Sequence, residues 1–419
     1  MSSHDLVSRR SFMRAAGTAT AAMPLLASAP GAWALTGLPE GKKAIAELEA
    51  RDDDPNAVII SSNENPLGPA AKALAAMATA AHRGGRYNHE SKGEVIEAFS
   101  AQFGLKDGYV TFWPGSSTPL DLALKSHLGP NRPLVCGDPS YEQGPAAAAA
   151  MGAKVIGVPL TATGAHDVRK MAAASSHAGA YYIVNPNNPT GTMTPRADIL
   201  WLLEHKAPGS IVLVDEAYFH FSKDEPMIDQ VVADKDIIVT RTFSKIYGMA
   251  GLRAGFLIAK PELQAKLAEL GPGATLDGQS EVSMATAHGC LASLKDATLI
   301  PTRRKINADL RDATLEWMDQ HEFKYYPGSQ ANFFMVDVKR PGREFAALMQ
   351  KQDVFIGRTW RAMPNYVRVT VGTAREMKRF QEAFIKAYET APSTAHADLP
   401  YTAPSELPRT VYSRQVMFA

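Results

Sequence analysis

Thr240-Arg241-Thr242-Phe243-Ser244-Lys245-Ile246-Tyr247-Gly248-Met249-Ala250-Gly251-Leu252-Arg253-Ala254-Gly255 is the stretch around which the chain is organised. It follows Ile237, Ile238 and Val239, an apolar run suited to a buried strand. Its lysine has Phe243, Ile246 and Met249 as neighbours, unlike the polar, helix-favouring company of a surface lysine. Partial desolvation of an ammonium disfavours the charged form and leaves a nucleophilic amine. Taken alone, Lys245 fits a plain loop lysine beside a strand as well, because a single motif is weak. The surrounding chain has to decide between the two.

Outward from this stretch, residues 70–270 alternate short apolar runs with helical patterns. Strands are expected at 109–112, 133–136, 154–158, 181–184, 211–214, 237–239 and 255–259. Several are apolar on both faces, as a covered parallel sheet requires. The fold class is therefore α/β: an open, mostly parallel seven-stranded sheet with helices on both sides. A short helix at 41–51, a strand at 58–62 and the polar turn Asn63-Glu64-Asn65-Pro66-Leu67-Gly68-Pro69 precede it. A long amphipathic helix at 297–323 leads out of the large domain. Strands at 332–338 and 367–371, with helices at 344–352 and 373–388, make a small α+β domain. The expected organisation is a leader at 1–34, a segment at 35–69 joining the small domain, a large domain at 70–295, a small domain at 296–390 and a tail at 391–419.

In a doubly wound sheet, ligands gather at the carboxyl ends of the strands. Gly115-Ser116-Ser117-Thr118-Pro119 closes the first strand; Thr118 is expected to cap a helix beginning at Pro119, with Asp121 as its capping-box partner. Free backbone N–H groups and hydroxyls there suit a phosphate, although a plain capped turn explains the same residues. Asn185-Pro186-Asn187-Asn188-Pro189-Thr190-Gly191 closes the strand at 181–184 and aims its amides. Asp215 ends an almost wholly apolar strand, with Tyr218 three residues on. A buried carboxylate is costly without a cation or strong donors, and a protonated heterocyclic nitrogen would serve; helix capping is the alternative. An aspartate awaiting a cation, an aimed asparagine, a tyrosine, a phosphate cup and a desolvated lysine together describe one cofactor, pyridoxal 5'-phosphate held as a Schiff base.

Asn188-Pro189-Thr190-Gly191, Asp215-Glu216-Ala217-Tyr218 and Ser244-Lys245 with Gly248, Gly251 and Arg253 resemble the class I/II aminotransferases of fold type I. Arg241-Thr242-Phe243-Ser244-Lys245 and Asn63-Glu64-Asn65-Pro66-Leu67-Gly68 are most similar to the histidinol-phosphate aminotransferase branch. The likeness runs over about residues 55–390. It implies that Lys245 carries the cofactor, Asp215 pairs with the pyridine nitrogen, and Tyr218 and Asn188 contact the phenolic oxygen. Tyr141 would stack on the ring, and Gly115, Ser116, Ser117, Thr242, Ser244 and Arg253 would surround the phosphate. Tyr87 matches a tyrosine that reaches the phosphate from a second subunit, so the resemblance implies a homodimer with shared active sites. Arg368, in Val367-Arg368-Val369, matches an α-carboxylate clamp, and Arg358 and Asn65 belong with it as substrate-binding residues. The phosphate cup departs from the branch, reading Gly-Ser-Ser-Thr where an Asp or Asn usually follows the first Ser or Ala. The segment between Arg358 and Arg368 is shorter and more apolar than in the branch, and includes Trp360, Met363 and Tyr366.

Composition narrows the function further. At 419 residues, with 45% hydrophobic and 21% charged residues, the chain suits a two- or three-domain globular protein. A net charge of +1 carries no footprint for nucleic acid or an anionic membrane. Cys136 and Cys290 lie far apart without metal-ligand spacing, so neither a metal nor a disulfide framework is expected. Ser8-Arg9-Arg10-Ser11-Phe12-Met13-Arg14, a mildly apolar run and Ala32-Trp33-Ala34 read as a twin-arginine export signal with a cleavage site. The apolar run is short and holds Pro24 and Pro30, so no stable membrane span is expected. Loss of residues 1–34 leaves 41 basic and 42 acidic residues. The expectation is an exported aminotransferase working on a small amino donor and an oxo-acid acceptor by a ping-pong Schiff-base mechanism, with periplasmic or secreted location. The same scaffold also resembles amino-acid-phosphate decarboxylases and other lyases. A sensing or non-catalytic cofactor-binding protein is the reading outside enzymes.

Overall fold

Alternate residues of a strand face opposite sides of its sheet, and here both sides are apolar. Tyr181, Ile183, Val212, Val214, Ile237 and Val239 enter one core, while Ala180, Tyr182, Val184, Ile211, Leu213 and Ile238 enter another on the opposite face. A computed structural model describes residues 54, 56–86, 90–270 and 282–391. The twin-arginine stretch, the helix expected at 41–51, Tyr87 and the tail beyond residue 391 lie outside the described residues. Everything below belongs to the unit that starts at Val58.

The strands, in chain order, are β1 (Val58–Ile60), β2 (Val110–Trp113), β3 (Leu134–Asp138), β4 (Val155–Pro159), β5 (Ala180–Val184), β6 (Ile211–Asp215), β7 (Ile237–Thr242), β8 (Gly255–Ile258), β9 (Lys324–Tyr325), β10 (Phe333–Asp337), β11 (Val354–Ile356) and β12 (Tyr366–Thr370). The large sheet has seven strands in the order β2-β8-β7-β6-β5-β3-β4, matching the seven expected segments to within a few residues. Pairing is parallel from β7 through to β4, whereas β8 runs antiparallel to both β7 and β2. Two consequences follow for the site. The strand order reverses between β3 and β5, opening a crevice at their carboxyl ends. The reversed β8 also brings its amino end, just after Arg253, to the edge where β2, β3, β5, β6 and β7 finish.

A second, antiparallel sheet has the order β12-β10-β9, and β1 pairs in parallel with β11. The helix Leu299–Gln320 spans two cores: Leu299 joins that of the large sheet, and Met318 packs with Phe334, Phe345, Phe380 and Phe384. The helix Ala374–Glu389 opens on a full capping box between Thr373 and Glu376. The cap expected at Thr118 is not formed. That helix begins at Ser117, Ser116 stands at the cap position without a side-chain bond, and Asp121 pairs with Lys125 at 2.6 Å. The helix starts one residue before the expected cap, so Thr118 lies inside its first turn with a helical backbone and no longer holds the cap position. No helix of the described residues is long and apolar enough to cross a membrane.

Candidate active site

Asp215 is the last residue of β6 and is 4% exposed. Its Oδ1 accepts from the Thr240 hydroxyl at 3.0 Å and the Ala217 N–H at 3.2 Å, and the Tyr182 hydroxyl donates to Oδ2 at 3.4 Å. No cation pairs with it among the described residues. Burial pushes its carboxyl up to about 6, against the lowering effect of those donors and of Lys245. Thr240 is its register partner on β7, a hydroxyl directly after Ile237, Ile238 and Val239. That polar break in an apolar run is a local signal for Thr240, whereas Tyr182 sits within an apolar strand and shows no such signal.

Lys245 follows β7 and is half-buried. Its Nζ donates to the Ser62 carbonyl at 3.3 Å and lies 5.4 Å from the centre of the Tyr218 ring. The turn bearing it is held from outside: the Ile246 carbonyl accepts from Asn65 Nδ2 at 3.0 Å and from Arg303 Nη1 at 2.9 Å. Gly248, at φ +67°, passes so close to the Gly68 carbonyl that a Cβ would stand 2.1 Å from it. Asn65, expected to meet the substrate, thus spends its amide on the lysine turn and on the Leu67 N–H. The neighbour that reaches the site is Asn63, whose Nδ2 donates to the Tyr218 hydroxyl at 3.0 Å. Asn63 is itself fixed by Thr370 and Asn332. Tyr218 stands edge-on to Phe333, with ring centres 4.9 Å apart.

Asn188, after β5, is buried, and its Oδ1 accepts from Arg368 Nη1 at 2.8 Å. Arg368, on β12, also donates from Nη2 to the Ser61 carbonyl at 2.8 Å, while its Nε is buried with no partner among the described residues. Burial lowers its guanidinium to about 10. The guanidinium carbon lies 5.5 Å from the Phe333 ring centre and 5.4 Å from that of Trp360. Tyr141, after β3, is half-buried, and burial pushes its phenol up, with Tyr218 and Asp215 adding to the rise.

At the β2 and β8 ends, Gly115 adopts φ +86° with Arg253 against it: a Cβ there would stand 2.3 Å from Arg253 Nη2. Arg253 Nη1 donates to Ser244 Oγ at 3.3 Å and to the Ala250 carbonyl at 2.8 Å. Thr242 Oγ1 accepts the Ser244 N–H at 3.1 Å and lies 2.9 Å from Ser244 Oγ. A bare glycine backbone, two hydroxyls, a guanidinium and the start of the Ser117–Lys125 helix therefore converge, a donor set suited to a phosphate dianion. Behind Asp215, Glu216 and Arg241 form an ion pair at 2.6 Å with both side chains buried. Arg358 stands apart from the cup, paired with Glu142.

The chain matches the family of aminotransferase class I and II over residues 55–384. It is 31% identical over 351 residues to a histidinol-phosphate aminotransferase of Moorella thermoacetica, covering 82% of this chain and 88% of that protein. It is 34% identical over 331 residues to a histidinol-phosphate aminotransferase of Symbiobacterium thermophilum, covering 78% and 89%. The crystal structure of histidinol-phosphate aminotransferase from Sinorhizobium meliloti in complex with pyridoxal-5'-phosphate shares the fold. It aligns with a TM-score of 0.73 at 22% identity, over 82% of this chain and 93% of that one.

Proposed function

The chain belongs to the aminotransferase class I and II family, and from that premise we propose that it is an exported, homodimeric aminotransferase whose amino donor is not histidinol phosphate. It is a pyridoxal-phosphate-dependent aminotransferase of the histidinol-phosphate-aminotransferase-like kind. The residues present fit that cofactor. Asp215 is a desolvated carboxylate with neutral donors and no counter-cation among the described residues, which is the partner that a protonated ring nitrogen needs. That carboxylate, on the same sheet edge as Lys245, is the observation that carries the residue assignment.

When bound, pyridoxal phosphate supplies the aldehyde that takes up the amino group and the ring that draws electrons from the substrate carbon. In the proposed mechanism Asp215 keeps the ring nitrogen protonated, its own charge stabilised in return. Thr240 and Tyr182 hold that carboxylate in place. Lys245 Nζ would take the proton from the substrate carbon as general base and return it as general acid. Tyr218, oriented by Asn63, and the Nδ2 of Asn188 would contact the phenolic oxygen, while Tyr141 would cover the ring. Gly115, Ser116, Ser117, Thr242, Ser244 and Arg253 would hold the phosphate, and by the family resemblance Tyr87 of a second copy would reach it. Arg368 presents its fork to the donor's carboxylate, and Asn188 and the Ser61 carbonyl fix its plane.

Export is supported by the twin-arginine stretch and the Ala32-Trp33-Ala34 site, a route that suits a protein folded around its cofactor before crossing. Fractionation of producing cells tests it, since retention of the full-length chain in the cytoplasm would overturn export. The donor is tested by bleaching of the cofactor's visible band with a panel of amino acids, amines and histidinol phosphate. Turnover of several amino acids with none of histidinol phosphate is expected. Turnover of histidinol phosphate alone would overturn the substrate reading.

A further inference from the structure

Arg358 is joined to Glu142, the residue directly after Tyr141, by a bond from Nη2 to Oε2 at 2.7 Å. This pair sits beside the proposed carboxylate clamp. The guanidinium carbon of Arg358 lies 5.3 Å from the Trp360 ring centre, and that of Arg368 lies 5.4 Å from the same ring. Trp360 is buried, and its indole N–H has no partner among the described residues. Glu142 and Arg358 also act in opposite directions on the ionisation of Arg368, Arg358 lowering it and Glu142 raising it.

Trp360 thus stands against both guanidinium groups, and a substrate held at Arg368 whose far end reaches Arg358 meets a guanidinium that already has a carboxylate. An anionic far end, whether phosphate or carboxylate, meets a guanidinium whose charge Glu142 already offsets, and comes to rest beside that carboxylate. Two anions sharing one guanidinium repel, a cost that a neutral or cationic group does not meet. A neutral polar or cationic far end leaves the pair intact. It finds an acceptor in Glu142. We propose that Glu142 is a specificity-determining residue: by occupying Arg358 it rejects donors with an anionic far end and selects donors whose far end is neutral and polar, or cationic. This rests on the aminotransferase reading, with Arg368 as the carboxylate clamp.

Half-exposed ion pairs contribute little to folding, so Glu142→Gln should leave the fold intact. The test is calorimetric binding of glutarate and of its monoamide to the cofactor-loaded enzyme, which requires no turnover. Wild type is expected to favour the monoamide. Glu142→Gln should shift the ratio towards glutarate by about twofold to fivefold, the order that an exposed charge pair supports. Adding Arg358→Gln to that variant should abolish the gain. An unchanged ratio in Glu142→Gln, a wild-type preference for glutarate, or no binding of either ligand to any variant would overturn the proposal. Failure of the aminotransferase reading shows separately, as a loaded enzyme whose visible band no amine bleaches.

Discussion

Replacing Asp215 by asparagine removes a charge that the fold buries at a cost, and that cost can be worked from its surroundings. Burial raises the carboxyl from 3.8 to about 6 even though Thr240, Ala217 and Tyr182 donate to it. At 1.36 kcal/mol per pH unit, this corresponds to about 3 kcal/mol of destabilisation carried by the ionised form without cofactor. Because the folded value lies above the unfolded one, the native chain holds an extra proton between them, and stability falls as pH rises across that window. The contribution is fully present below 3.8 and lost as pH passes about 6. Cofactor-free Asp215→Asn should therefore exceed cofactor-free wild type by about 2–3 kcal/mol at pH 8. The advantage should shrink steadily as pH falls through 6 towards 4. The amide still accepts from Thr240 and Ala217 at Oδ1, and the Tyr182 hydroxyl can turn to accept from Nδ2. Urea unfolding of both cofactor-free proteins across this pH range is the assay. Cofactor should reverse the order, because only the carboxylate pairs with a protonated ring nitrogen. A variant less stable than wild type at pH 8, or a difference independent of pH, would show that the buried carboxylate carries no such cost.

Other substitutions probe the remaining contacts. Arg241→Met leaves Glu216 buried without its cation and should destabilise by about 3–5 kcal/mol, with much of the loss recovered in the Glu216→Gln/Arg241→Met double variant. Denaturant unfolding measures it, and a loss below about 1 kcal/mol would mean the pair is not desolvated. Gly115→Ala drives a Cβ onto Arg253 at a left-handed φ and should weaken cofactor binding in a titration of the cofactor-free protein; unchanged affinity would detach Gly115 from the phosphate cup. Arg368→Met should cut kcat/KM for carboxylate-bearing donors by about tenfold to a hundredfold, while sparing amines that lack the carboxylate. An equal loss for both classes would make Arg368 a structural residue.

The large sheet was legible because its strands are apolar on both faces, a pattern that few other elements share. Asp215, Asn188 and Lys245 stood out as polar residues at the ends of such strands. What escaped the reading depends on partners far apart in sequence. Asn63 and Asn65 sit two positions apart in one polar turn, and only their contacts across 155 and 181 residues assign one to Tyr218 and the other to the lysine turn. Glu142 and Arg358 are 216 residues apart and show no local pattern. The strand β11 has three residues, too few for a periodic signal. Thr118 illustrates the opposite failure, a local capping pattern that was present although the helix begins one residue earlier, at Ser117.

Borohydride reduction of the cofactor-loaded enzyme, followed by mass spectrometry of its peptides, tests the central assignment most directly. The bond between lysine and cofactor becomes permanent on reduction, so the modified residue reports where the cofactor was held. A single cofactor-bearing peptide is expected, modified at Lys245 within Ser244-Lys245-Ile246. Modification at another lysine, or none in a protein that retains its visible band, would contradict that assignment.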